Sequence, residues 1–191
     1  DKDVELFITN SSNDTVRTIA DKGKKGINRV WWDFMGEKSD PMIMRTKPQY
    51  AEWFSIGDER IRNIPSNISI MQPPGKYLVH LESDGTKYSK ELIVVKDPHS
   101  EGTIEDIKLQ NDLMNKIYND LNTTAMYVNS IESIRRQLID LKSALSGNGK
   151  DDNLISEVDN LESKFLHIEK KLLQLKTTGK GQDVVRYQKM I

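Results

Sequence analysis

Apolar and polar positions alternate through the first half of the chain, and a helical period replaces the alternation in the second. "VELFITN" (4–10) puts Val4, Leu6 and Ile8 on one face and Glu5, Phe7 and Thr9 on the other, as a half-buried strand does. "NSSND" supplies turn formers, and "TVRTI" (15–19) follows as a second short strand. "GINRVWWDF" (26–34) reads as a third. Its alternation would send Val30, Trp32 and Phe34 to the core and place Trp31 at a boundary, beside Arg29 and Asp33. "ISIM" (68–71), "KYLVHLES" (76–83) and "KYSKELIVV" (87–95) complete six strands, the last two joined by the hairpin signal Asp84-Gly85. Short strands with this punctuation predict an antiparallel β-sandwich over 1–98, of immunoglobulin or fibronectin type. The mixed, proline-bearing stretch 35–67 is expected to be an elaborated insertion between strands.

"KDPHSEGT" (96–103) closes the strands and offers Ser100 or Thr103 as an N-cap, with Glu101, Glu105 and Asp106 suited to the positive end of a helix dipole. From there the period predicts a helix over 104–145, with Ile107, Met114, Ile117, Leu121 and Val128 in its apolar stripe. After "SGNGKDD", a second helix over 153–176 carries Leu154, Val158, Leu161, Phe165, Ile168, Leu172 and Leu175, the 4,3 spacing of a coiled-coil seam. The short loop implies that the two helices run antiparallel. "VVRYQKMI" reads as the start of a third element at 183–191. The expected architecture is therefore segregated α+β: a sandwich over 1–98, then a long helical hairpin, an incomplete bundle, over 99–191. Such a bundle leaves apolar surface to be covered by a missing helix, by self-association or by the sandwich.

Composition narrows the function classes. The chain has 191 residues, with 28 Lys and Arg against 29 Asp and Glu. That balance gives no electrostatic reason to expect nucleic acid as a partner. The absence of cysteine removes disulfides, thiol catalysis and Cys-ligated zinc. No stretch has the roughly 18 consecutive apolar residues of a membrane span. With no start methionine or leader at "DKDVELFITN", the chain is expected to be a piece of something longer.

The order "VRTIADKGKKGINRVWWDF", "RTKPQYAEWF", "MQPPGKYLVHLESDGTKYSKELIVVKDPHS", "GTIEDIKLQNDLMNKIYNDLN", "IESIRRQL" and "GKGQDVVRY" resembles the C-terminal region of large bacterial proteins whose N-terminal part is a sortilin-like or sialidase-like BNR-repeat β-propeller. The strand region is also similar to the Ig-like domain of the flagellar hook-capping protein, in its "G…N.V.WD…PPG.Y.V.L" frame. The resemblance spans nearly the whole chain. It implies a secreted, periplasmic or cell-envelope parent, with this piece as an accessory tail. No Asp-box ("S-x-D-x-G-x-T-W") occurs in these residues.

Candidate chemistry is sparse. Asp58/Glu59 and Asp151/Asp152 are acidic pairs in polar loops, without the apolar surround that would retune a carboxylate for catalysis. His80, His99 and His167 are far apart and form no metal-binding pair. "GKGQD" follows no strand and makes a poor phosphate cradle. No catalytic residue, cofactor or metal is expected. The aromatic group Trp31, Tyr50, Trp53 and Phe54 can be read as a sugar-stacking platform or as side chains of the insertion folded over the strand that carries Trp31.

These readings converge on a non-catalytic module that docks on its own propeller, on a protein partner or on a second copy through its helices. Ile107, Met114, Ile117 and Leu121 are the expected helical docking surface. A carbohydrate-binding module that uses Trp31 and Trp53 is the alternative. A third reading is part of a glycoside hydrolase whose catalytic propeller lies outside these residues.

Overall fold

The local sequence determines where strands start and stop. In the computed structural model, which describes residues 2–47, 60–61, 67–147 and 152–173, the chain is α+β. Strand β1 (Lys2–Thr9) pairs antiparallel with β2 (Thr15–Gly23), across a turn in which the Asn10 side chain accepts from the Ser12 and Asp14 amides. Strands β3 (Met35–Lys38), β4 (Ile43–Met44), β5 (Arg60–Ile61) and β6 (Ser69–Met71) are short. β7 (Gly75–Ser83) and β8 (Thr86–Val94) form a hairpin whose loop residues Asp84 and Gly85 both have positive φ, at 51° and 73°.

Among the described residues the strands form three antiparallel sheets: β2-β1-β7-β8, β3-β6 and β4-β5. In the four-stranded sheet Leu6 lies opposite Leu81 and Ile8 opposite Val79, so the apolar positions of β1 and β7 share one face. The other face carries Phe7 stacked on His80, ring centroids 4.7 Å apart. Thr9 and Ser89 hydroxyls lie 3.1 and 2.7 Å from the two His80 ring nitrogens, which satisfies this buried imidazole.

Residues 26–34 are not a strand; β3 begins one residue later, at Met35. The cause is local side-chain hydrogen bonding that competes with a sheet ladder. Asn28 accepts from the Lys24 amide and donates to the Lys24 and Gly26 carbonyls, closing a turn around Gly26 (φ +107°). Asp33 then accepts from the Met35 amide, and Phe34 turns at φ +62°. The alternation of this stretch therefore does not sort its side chains. Val30 and Phe34 are exposed and Trp32 is half-buried. Trp32 packs edge-on to Tyr77 and donates its indole N–H to the Met35 carbonyl at 2.9 Å.

Helix α1 (Ile104–Gly147) opens with Thr103 as N-cap: its hydroxyl accepts from the Asp106 amide while the Asp106 carboxylate accepts from the Thr103 amide. Helix α2 is Asp152–Leu172; the expected third element at 183–191 lies outside the described residues. The chain groups into two compact units, and neither is continuous in sequence. One comprises 1–39 and 68–119, the other 40–67 and 120–191. This grouping differs from a division at 98/99. α1 contributes to both units, and the 35–67 stretch splits, with β3 in the first and 40–67 in the second.

Tyr77 anchors the first unit. It is buried, burial pushes its phenol pKa up, and its hydroxyl donates to the Pro73 carbonyl at 2.5 Å. Tyr77→Phe is expected to lower unfolding free energy by about 1 kcal/mol. Tyr77→Ala is expected to lower it by roughly 3–5 kcal/mol, read from urea denaturation.

Candidate functional site

Two arrangements are candidates, one in each unit. The first unit has an open apolar groove of about 570 Å³. Ile107 and Met114, seven residues apart and so on one face of α1, form one wall. Phe34, Met71, Val94 and Val95 contribute from the strands and their ends, and Asn111 at the rim donates to the Met71 carbonyl. Met71 and Val95 are well exposed, so the groove presents hydrocarbon to solvent. Ile117 is exposed and does not line it, and Leu121 is buried within the second unit. The four helical residues singled out from sequence therefore fall in three different environments.

Of the aromatic group, Trp31 is 81% exposed, with the Arg29 guanidinium 5.8 Å from its ring centroid. Tyr50, Trp53 and Phe54 lie outside the described residues.

The second unit is organised around buried polar groups. Residues 40–46 run along α1, held by its side chains. Asn122 accepts from the Asp40 amide, and Asn129 accepts from the Ile43 amide and donates to the Pro41 carbonyl. Glu132 accepts from the Arg45 and Thr46 amides and from the Thr46 hydroxyl. Beneath this strap, Met42, Met44, Ala125, Val128 and Leu173 form an apolar core.

Arg135, one turn beyond Glu132, reaches α2. Its Nη1 donates to Glu132 (3.0 Å), Glu169 (2.5 Å) and the Thr46 hydroxyl (3.0 Å), while Nε and Nη2 both donate to Glu162. Glu132, Glu169 and Arg135 are all buried, and Glu162 is largely so. One guanidinium thus faces three carboxyl groups. Burial, and then the neighbouring Glu132 charge, push Glu169 up to about 8, against the pull of Arg135. Protonation of Glu169 accounts for a buried atom: its Oε1 meets no donor among the described residues, and a carboxyl O–H there can donate to Glu132. The cluster is closed to solvent, which suits a latch rather than a substrate site.

The latch also sets the rotation of α2. Glu162 and Glu169 are seven residues apart, and turning both toward Arg135 rotates the helix away from its sequence seam. Val158 and Leu173 are buried and Phe165 is half-buried, but Leu154, Leu161 and Ile168 remain 37%, 43% and 48% exposed. Sequence reasoning missed Asn122, Asn129, Glu132, Arg135, Glu162 and Glu169. The available signal was their spacing: Glu132 and Arg135 lie one helical turn from Val128 and Ile131, on the stripe expected to be apolar.

Among the described residues no group of three or more His, Asp or Glu is placed to hold a metal ion, and no helix is long and apolar enough to cross a membrane. Comparison with protein-family models, curated proteins and solved structures finds no match.

Arg135→Ala strands buried carboxyl groups and is expected to cost roughly 3–5 kcal/mol in chemical denaturation. Glu169 keeps its proton to higher pH when folded than when unfolded, where it titrates near 4.5. The stability it confers is therefore complete below pH 4.5, falls as pH rises toward about 8, and is gone above that. The slope of unfolding free energy in that window should be at most about 1.4 kcal/mol per pH unit. Glu169→Gln, which stays neutral, should flatten it.

Proposed function

We propose that the chain is a non-catalytic docking module, the C-terminal accessory part of an extracytoplasmic bacterial β-propeller protein. In this reading the first unit is an Ig-like sandwich in which β3-β6 opposes the four-stranded sheet. The Tyr77 hydroxyl on the Pro73 carbonyl supports it, because a tyrosine that bonds back to the chain a few residues upstream recurs in such sandwiches. The helices form an antiparallel hairpin. The pairing order supports that: Arg135 meets Glu162 and Glu169, while the later Lys142 meets the earlier Asp159.

The observation that carries the docking reading is the groove beside Ile107 and Met114. It is open and mostly hydrocarbon, the kind of surface that takes an apolar anchor from a protein partner. The propeller of the same polypeptide is the partner the resemblance favours. Calorimetric titration of the chain with that propeller, produced separately, is expected to show binding that Met114→Lys weakens at least about tenfold. Equal binding by both proteins would overturn the reading, as would hydrolase activity of the isolated chain.

Trp31 favours a second reading, since an indole this exposed is available to stack on a sugar ring. Retardation of the chain in polysaccharide-containing gels, lost in Trp31→Ala, would replace docking by carbohydrate binding.

A further inference from the structure

The seam of α2 that does not meet Arg135 is left partly exposed. Leu154, Leu161 and Ile168 recur every seven residues along α2 and are all exposed, forming an apolar line about 21 Å long. The charges beside this line change sign along the helix. Exposed Glu157 flanks its first half, and exposed Lys164 and Lys171 flank its second. A partner helix that lays apolar residues on this line and reverses the charge order would match it, and α2 itself, running the other way, does both.

We propose that α2 is a self-association helix, pairing antiparallel with α2 of a second copy of this chain. The inference rests on the docking-module reading and names a partner for its second surface. With the two-fold axis at Leu161, Leu154 lies against Ile168 of the second copy and Leu161 against its own equivalent. Glu157 then sits beside Lys164 of the second copy, and the two-fold repeats that pair. Parallel pairing would set Glu157 against Glu157 and Lys164 against Lys164. Antiparallel pairing also aligns the positive N-terminal end of each helix with the negative C-terminal end of the other. Three apolar layers bury less than a standard interface, so the dimer is expected to be weak and concentration-dependent.

The chain has no cysteine, so single introduced thiols report the pairing directly. Sedimentation equilibrium from about 5 to about 500 μM is expected to show a monomer–dimer equilibrium. Leu161→Glu should abolish it while leaving helical circular dichroism unchanged. Glu157→Lys should raise Kd about threefold to tenfold, and adding Lys164→Glu should restore it. Under mild oxidation, a mixture of Leu154→Cys and Ile168→Cys chains should give the mixed disulfide dimer, and Leu154→Cys alone should give none.

A chain that is monomeric throughout this range overturns the proposal. So does cross-linking of Leu154→Cys to itself without the mixed product. A monomer that Leu161→Glu destabilises would show instead that the chain's own C-terminal residues cover the line. None of these outcomes touches the groove test, which reads Met114 in the other unit.

Discussion

The second unit depends on one buried guanidinium. Arg135 joins three pieces of chain that are remote in sequence: Thr46 on the strap, Glu132 on its own helix, and Glu162 and Glu169 on α2. The apolar core beside it, Met42, Met44, Ala125, Val128 and Leu173, supplies non-directional attraction that would tolerate other rotations of α2. The ion cluster is directional. It costs desolvation, and buried ion pairs are often no more stabilising than apolar residues of the same shape. What it adds is a single answer to which face of α2 meets α1, as polar residues in coiled-coil seams set register.

That constraint explains a mismatch between the helix and its own pattern. The 4,3 spacing of leucines in α2 is a true amphipathic signal, but an amphipathic helix does not specify which neighbour its stripe meets. Arg135 recruits Glu162 and Glu169, so Val158 and Phe165 stay inward while Leu154, Leu161 and Ile168 move to the edge. The partners lie 27 and 34 residues apart in sequence, beyond any window that periodicity can read. Three ionised carboxyl groups around one cation would leave the cluster at a net charge of −2, and the raised pKa of Glu169 is how the interior lowers that excess.

The legible parts of the sequence were those in which local chemistry decides. Asp84-Gly85 makes its hairpin because both residues tolerate positive φ, and the alternation of β1 and β7 places Ile8 opposite Val79 as the pattern implies. "GINRVWWDF" has the alternation of a strand and is not one, although its signals are local too. Asn28 and Asp33 are side chains that bond their own backbone, and that competition outweighed an apolar alternation of the right period. The 35–67 stretch reads from sequence as an insertion between strands, whereas the structure groups 40–67 with the helices. Its grouping with the helices follows from Asn122, Asn129 and Glu132, whose side chains satisfy the strap's amides from α1. Nothing in the strap's own residues encodes that.

The Trp31–Trp32 doublet condenses the same lesson into two side chains. Both were assigned by strand alternation, and neither sits in a strand. Trp32 is nevertheless drawn inward, because its indole N–H finds the Met35 carbonyl and its ring finds Tyr77. Among the described residues Trp31 has the Arg29 guanidinium across its face, and its ring is largely exposed. An indole exposed on an irregular loop loses hydrophobic stabilisation that a buried one would gain, of the order of 2–3 kcal/mol. Trp31 and the groove beside Met114 thus both present hydrocarbon to solvent in the first unit, and it is on these surfaces that the two proposed functions rest.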